Sequence, residues 1–534
     1  MRTIVGVLGV WLATVAYVGP ASDIGVAWIA RTSWAPREVG PGVSPARSGP
    51  APELPRLTVD TSEVKLAGRT IHVSAGENLQ AAIDQARPGD AILLDPRQTY
   101  RGPFELPKKD GDGWILIASA AVGELPAPGR RVGPSHASLM PKLVSSNDTV
   151  VAADAGAHHY RFVGIEMAPA DGRFLYSLVQ LGDDETSVDK LPHHIIFDRC
   201  YLHGDPKKGS RRAIAMNSRY TAVVDSYLSD FKEVGADSQA IAAWNGPGPL
   251  KISNNYLEAA GENVMFGGGD PSITGLVPSD IEVTRNHMSK PMRWRVGDPA
   301  FEGTAWAVKN LLELKNARRV LVDANLFENN WVHAQNGFAI LFTPRNQKGG
   351  APWSVVEDVT FSNNVVRHVG AGMNILGRDD NYTSQQTRRI AIRNNLFVDV
   401  GGRWGGNGRL FQLLDGTSAV VIDHNTASQT GGIVFGGDHA SHAGFVFQNN
   451  VMPDNHAGIV GSDTAVGKPA IERYFPDAVI RRNAFVGANA ADYPLDNFFP
   501  SSIEAVKRYA GQATDGRDPG ADVRSIPAGL IGGE

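Results

Sequence analysis

A single cysteine, Cys200, stands in 534 residues. No internal disulfide can form, so an exported form of the chain must draw its stability from packing and hydrogen bonds. Charge of one sign is equally scarce. Against 56 Asp and Glu there are 51 Lys and Arg, a formal net charge of -5, and basic residues gather only in pairs such as Lys207-Lys208 and Arg211-Arg212. A basic stripe able to hold a phosphate backbone is missing, which argues against nucleic acid as a partner. A local basic patch can still hold an acidic sugar chain, because net charge says nothing about one cleft.

Catalytic signatures are missing too. No H-E-x-x-H, G-x-S-x-G or dinucleotide-binding pattern occurs, and His194, His203, His287, His333, His368, His424 and His439 are scattered without zinc-ligand spacing. The glycines of "MFGGGD" lack the Lys-Ser/Thr of a phosphate cradle and read as a tight corner. With 42% hydrophobic and 20% charged residues the chain is nevertheless a folding one.

Long apolar runs are confined to the N-terminus. Ile4 to Val18 spans 15 residues, the length of an export-signal core, and Gly19-Pro20-Ala21 offers small residues for cleavage. Residues 1–34 are read as a signal peptide or, if uncleaved, an N-terminal membrane anchor, which is the one route to a membrane. Either implies an exported protein, periplasmic or extracellular. Residues 35–57 are rich in Pro, Gly and Ser and read as a linker. Residues 58–534 form the folded body.

That body repeats one phrase: alternating apolar residues, a small polar residue, then two more apolar residues. Examples are "LKISNNYL", "VTFSNNVV", "IAIRNNLF" and "FVFQNNVM". The polar position runs Cys200, Ser226, Asn255, Asn286, Asn325, Asn364, Asn395, Asn425, Asn450 and Asn483, at intervals of 25 to 39 residues. Each interval holds about three short strands with variable loops. If such coils stack at about 4.8 Å, the asparagines lie one above another and exchange amide hydrogen bonds. In "ENLQAAIDQA", Leu79, Ala82, Ile83 and Ala86 make one apolar face of a short helix, placed to close the first coil.

With "VSAGENLQAAIDQARPGDAILL" at the start, the repeated "NN" coils and "DGRDPGADV" at the end, the chain resembles the right-handed parallel beta-helix superfamily of pectate lyases and related polysaccharide-active enzymes, over roughly Arg69 to Val523. The resemblance implies an all-β, single-domain right-handed parallel beta-helix with an N-terminal capping helix. It implies a polysaccharide partner and spans lyases, hydrolases and noncatalytic proteins alike.

The longest coils, those around Asn286, Asn325 and Asn364, are expected to wall a groove between about Glu262 and Asp380. Strand alternation leaves Glu313 and Lys315 on one outer face, with Asn263 and Met265 also outside. Lyase chemistry needs a cation, or Ca²⁺, to neutralise a uronate carboxylate and a base to take the neighbouring proton. Glu262, Lys309, Glu313, Lys315 and Arg345 are the catalytic candidates. Asn263, Trp294, Trp331 and Arg378 are candidate substrate contacts, the tryptophans as platforms for sugar faces. Asp270, Asp379 and Asp380 are the candidate oxygen ligands for Ca²⁺. The expected activity is β-elimination on an acidic polysaccharide; a glycoside hydrolase using two of the carboxylates, or a noncatalytic carbohydrate-binding surface protein, are the alternatives.

Overall fold

The computed structural model describes residues 50–438 and 440–531. Residues 1–34, expected to be an export signal or anchor, most of the expected linker, and His439 lie outside the described residues. The body is a right-handed parallel β-helix built from three parallel sheets of 14, 13 and 12 strands. Each coil runs through the 14-stranded first sheet, the 13-stranded second and the 12-stranded third. One such coil is Ser279–Thr284, His287–Ser289 and Asn310–Leu314.

The corner between the first and second sheets is the one announced by the asparagines. Asn286 Oδ1 accepts from both the backbone N–H and the Nδ2 of Asn255, at 2.9 and 3.0 Å. The same pair of bonds links Asn286 to Asn325, Asn325 to Asn364, and onward to Asn483. Asn497 adds a further rung after only 14 residues. The residue before each rung has a left-handed backbone, from Arg199 (φ 50°) through Asn254, Asn363 and Asn394 to Arg482 (φ 54°). That explains the doubled asparagines: the first tolerates the left-handed turn and the second builds the ladder. Where the ladder begins, the Cys200 N–H donates to Ser226 Oγ, and burial pushes the Cys200 thiol up to about 12.

Inside, apolar side chains stack coil upon coil. Val264, Leu312, Ile340, Met373 and Phe411 occupy one column in register, all buried. The packed interior leaves the outer faces for recognition. Helix α1 (Leu79–Gln85) closes the first coil with Leu79, Ala82 and Ile83 buried and the Asn78 side chain accepting from the Ala81 N–H. At the other end α2 (Lys468–Tyr474) covers the last third-sheet strands, burying Ala470 and Tyr474.

Two of the three outer faces are covered by the chain termini. The end of the linker does more than space: the Glu53 N–H donates to Asp358, the Arg56 N–H to Asp280, and Arg161 donates to the Thr61 and Ser62 carbonyls. Glu53 to Ser62 thus crosses six coil steps of the first sheet, and nine extended residues at ~3.3 Å match six spacings of ~4.8 Å. Val59 is buried there against Ile196, Ala222 and Val224. Sequence reading missed this because Pro and Gly composition does not reveal that an edge of polar side chains awaits the segment.

The C-terminal segment returns over the second sheet. Thr514, Ala521 and Asp522 donate backbone N–H groups to Asn449, Thr426 and Asn394, and Ile526 packs with Leu326, Val365, Leu396 and Val398. His424 fastens it. Its Nδ1 lies 2.7 Å from Asp423 and its Nε2 makes an ion-pair contact of 3.5 Å with Asp515. Burial opposes the charged ring, but the two carboxylates outweigh it and raise His424 to about 9. A raised folded pKa means the imidazolium contributes fully below pH 6.5 and is lost as pH rises through 9. Raising the pH from 6.5 to 9.5 is therefore expected to weaken docking of this segment by at most about 3 kcal/mol. Lower protection factors at residues 514–526, with the intrinsic base-catalysed exchange rate divided out, would register it; in His424→Asn the pH dependence of those protection factors should vanish.

Candidate functional site

Among the described residues, the third sheet is the face that neither terminal segment crosses. Its strands Arg212–Met216, Gln239–Ala243, Glu262–Phe266, Asn310–Leu314, Phe338–Phe342, Ala371–Leu376 and Phe411–Leu414 pair in that order. Loops stand on both flanks: 290–309 before the sheet and 343–355 after it are the long insertions that the 39-residue intervals signalled, and 267–278, also after the sheet, falls in the 31-residue interval before them.

At the entry edge Arg212, Gln239, Glu262 and Asn310 stand in register. Arg212 Nε donates to Gln239 Oε1 (2.9 Å), and Gln239 Nε2 donates to Glu262 Oε2 (2.8 Å). The other Glu262 oxygen meets Lys309 Nζ at 2.9 Å, and Lys309 also reaches Asp237. One coil further, Asn310 Nδ2 donates to Glu313 Oε2 (3.1 Å), whose Oε1 lies 3.4 Å from Lys315 Nζ. Four sequence candidates thus form two ion pairs on neighbouring coils, Glu262–Lys309 and Glu313–Lys315, with Glu262 and Asn310 in register between them. Glu313 is nearly sealed, its side chain 3% exposed, while that of Lys315 is 15% exposed and stands nearest the opening of the pair.

Electrostatics divide the groups. Burial first, and then the neighbouring Glu313, raise Glu262 above the usual carboxylate range. Burial works against charge on Lys309, but Glu262 and Asp237 overcome it and hold the ammonium above its ordinary pKa. Lys309 therefore stays protonated and acts as a fixed positive charge. Among the described residues Arg212 has no carboxylate within ion-pair distance; its guanidinium lies over Trp244 and Tyr176, at 5.1 and 5.6 Å from the ring centres, and burial lowers its pKa. At the far end Arg409 donates to Gln412, which donates to Asn374 Oδ1 (3.0 Å), and covers the Phe435 ring. From Arg212 to Arg409 the row crosses six coil steps, about 29 Å.

The glycines of "MFGGGD" make room for Lys315. Gly267 has φ +91°, and a Cβ there would stand 2.8 Å from Lys315 Cβ and 2.7 Å from the Asn316 N. Only glycine accepts both the backbone and the approach.

Other candidates sit elsewhere. Asn263 differs from the alternation reading: it is fully buried, donating to the Leu257 and Ser289 carbonyls and accepting from Lys290. The pairing register skips it between Glu262 and Val264, so its side chain turns into the corner instead of outward. Lys290, which sequence reading passed over, also donates to three successive carbonyls, Ala259, Ala260 and Gly261, and burial pushes it down to about 7. Trp294 and Trp331 are buried with Trp306 and Trp404 in a cluster under the loops. They anchor the flank of the sheet and do not offer open ring faces. Arg345 is held by Asp379 and Asp380, and Asp270 accepts from the Lys348 and Gly350 N–H groups. These three aspartates tie the loops 267–278, 343–355 and 377–387 together. Arg378 is exposed on the last of them.

No protein-family profile matches the chain, and no curated protein matches it. Solved structures do. The catalytic unit of a thermostable GH87 alpha-1,3-glucanase from Streptomyces thermodiastaticus strain HF3-3 is similar at a TM-score of 0.50 and 12% identity, covering 84% of this chain and 72% of that one. The PL6 family alginate lyase AlyGC gives a TM-score of 0.46 and 12% identity, over 87% of this chain and 58% of that one. An alginate lyase from Paenibacillus sp. str. FPU-7 gives 0.37 and 14%, over 66% and 99%. At such identities the likeness is one of fold.

Proposed function

Starting from a right-handed parallel β-helix of the pectate-lyase-like kind, we propose that the chain is an exported enzyme that cleaves an acidic polysaccharide by β-elimination on the outer face of its third sheet. The observation that carries this reading is the Glu313–Lys315 pair at 3.4 Å, set in a row ended by two guanidinium groups, Arg212 and Arg409, that make no carboxylate ion pair among the described residues. Such a row suits a polymer with a carboxylate on successive sugars.

Lys315 engages the uronate carboxylate and withdraws charge, which acidifies the adjacent carbon-bound proton. Glu313 takes that proton, the carbon–oxygen bond to the next sugar breaks, and a carbon–carbon double bond forms. The proton then passes from Glu313 to the departing oxygen on the same face. Lys309, fixed by Glu262 and Asp237, adds permanent positive potential, and Asn310 orients Glu313.

A second reading has one observation in its favour. Glu262 and Glu313 are two carboxyl groups in adjacent coils, the former kept protonated more readily by burial and by the latter's charge, as an acid and its partner would be in a glycoside hydrolase. The products separate the two. Incubation with polyuronates is expected to yield chain ends absorbing in the ultraviolet from the new double bond. New reducing ends without that absorbance would replace elimination with hydrolysis, and retention of polymer without any cleavage would replace both with binding alone.

A further inference from the structure

Away from the third sheet, four histidines meet at the corner where the first coils enter the first sheet. "HHY" and "HHI" open the neighbouring strands His158–Val163 and His193–Asp198, with His158 and His193 in register. The rings of His158 and His193 stack at 4.8 Å and those of His159 and His194 at 4.5 Å, within 7° of parallel. Within each coil the two Nδ1 atoms lie 2.7 Å apart.

Neighbouring residues of a regular strand face opposite ways. Here the second histidine of each pair has a left-handed backbone, φ 60° at His159 and 53° at His194, which swings its ring round to meet the first. Other coils use the same left-handed position differently: Arg319 pairs with Asp280 and Arg389 with Asp358. Only the two coils at 158 and 193 carry histidine at both positions. Tyr220 continues the stack below His194 at 4.6 Å, and Trp114 stands edge-on to His159 at 5.1 Å.

We propose that His159, His193 and His194, backed by His158, form a binding site for one divalent transition-metal ion that accepts imidazole nitrogens in a square-planar arrangement, Cu²⁺ foremost. One ligand atom from each of the three lies within 4.8 Å of the other two. With metal–nitrogen bonds of about 2.0 Å, neighbouring nitrogens lie about 2.8 Å apart in a square and about 3.3 Å apart in a tetrahedron. The Nδ1 spacing of 2.7 Å, held by a hydrogen bond between the two rings, is that of neighbouring corners of the square, and the ring that carries the shared proton moves it to Nε2 when the ion takes its place. A third nitrogen in the square lies about 2.8 Å from one of these two and about 4.0 Å from the other, so from separations within 4.8 Å the His159 ring has to move by up to about 2 Å to complete it. The three rings are only half-buried, leaving a path for an ion. The site is independent of the polysaccharide reading, and each can fail without the other.

The test uses the full chain, purified without a metal-affinity tag and stripped by chelator, titrated with CuCl₂ in a calorimeter. One equivalent of Cu²⁺ is expected, with nitrogen hyperfine structure in its electron paramagnetic resonance spectrum and a raised Tm. His194→Asn keeps a residue that tolerates the left-handed backbone, and His194→Phe keeps the stack on Tyr220; both, and His159→Asn, should weaken Cu²⁺ at least about 100-fold. His136→Ala, remote from the cluster, should bind as the parent does. Failure to bind Cu²⁺ at micromolar concentration would overturn the site and leave the rings as a packing stack. So would an affinity unchanged in all three variants, or Zn²⁺ held more tightly than Cu²⁺.

Discussion

Glu313→Gln is expected to lower turnover on an anionic polysaccharide by about 10²–10⁴-fold, the usual worth of a positioned proton acceptor. Glutamine keeps the shape and still accepts from Asn310 Nδ2, so folding is preserved while the proton acceptor is removed. Lys315→Met should cost a similar factor by a different route. It removes the charge that stabilises the carbanion-like transition state, and it leaves Glu313, buried at 2% exposure, without its cation. Initial rates followed by ultraviolet absorbance, with kcat and KM separated, check both. Falling kcat at nearly constant KM belongs to a reacting group; a rise in KM alone belongs to a binding group. Rates unchanged in both variants would move the chemistry off this face. The Glu262→Gln variant sharpens the choice of mechanism, since in the elimination reading Glu262 only fixes Lys309 and its loss should cost less than that of Glu313.

The second large effect concerns stability. Asn364→Ala is expected to destabilise the protein by about 3–5 kcal/mol. The Asn325 N–H, buried and bonded at 2.8 Å to Asn364 Oδ1, is left without an acceptor, and the Val322 carbonyl loses its 3.1 Å donor. The bonds from Asn364 Nδ2 to Asn395 and from Asn325 Nδ2 to Asn364 disappear as well. Asn364→Asp keeps the acceptor for Asn325 and loses only the donor, at the expense of a buried carboxyl group, so the pair of variants separates the two halves of the interaction. Urea unfolding followed by circular dichroism measures the difference. A midpoint within error of the parent protein would mean that the ladder follows from coil stacking and adds little to it.

The ladder was legible because its cause is repeated and local. Every coil needs one residue at the same bend, and Asn255, Asn286, Asn325, Asn364, Asn395, Asn425, Asn450 and Asn483 all supply it. The site was partly legible: alternation placed Glu313 and Lys315 on one side of their strand, and the structure adds Glu262 and Lys309 to them. Arg212, Gln239 and Asn310 escaped notice because their alignment with Glu262 runs through successive sequence steps of 27, 23 and 48 residues, which the loops make irregular. Asn263 was placed outside, wrongly, because alternation holds only within a strand and fails at its first residues, where the chain turns a corner. The tryptophans 294 and 331 were visible as a cluster, but whether a ring faces sugar or core depends on the path of a loop.

Sequence alone determined the architecture: period-two apolar runs bury one side of every strand, and spaced amides can be satisfied only by stacking, so a parallel coil follows from local chemistry repeated many times. Tertiary structure alone decided which outer face stays open and which charges meet there. Those depend on how loops of unequal length set neighbouring coils side by side and on where the two terminal segments lie, and contacts between residues far apart in the chain leave no periodic trace in it.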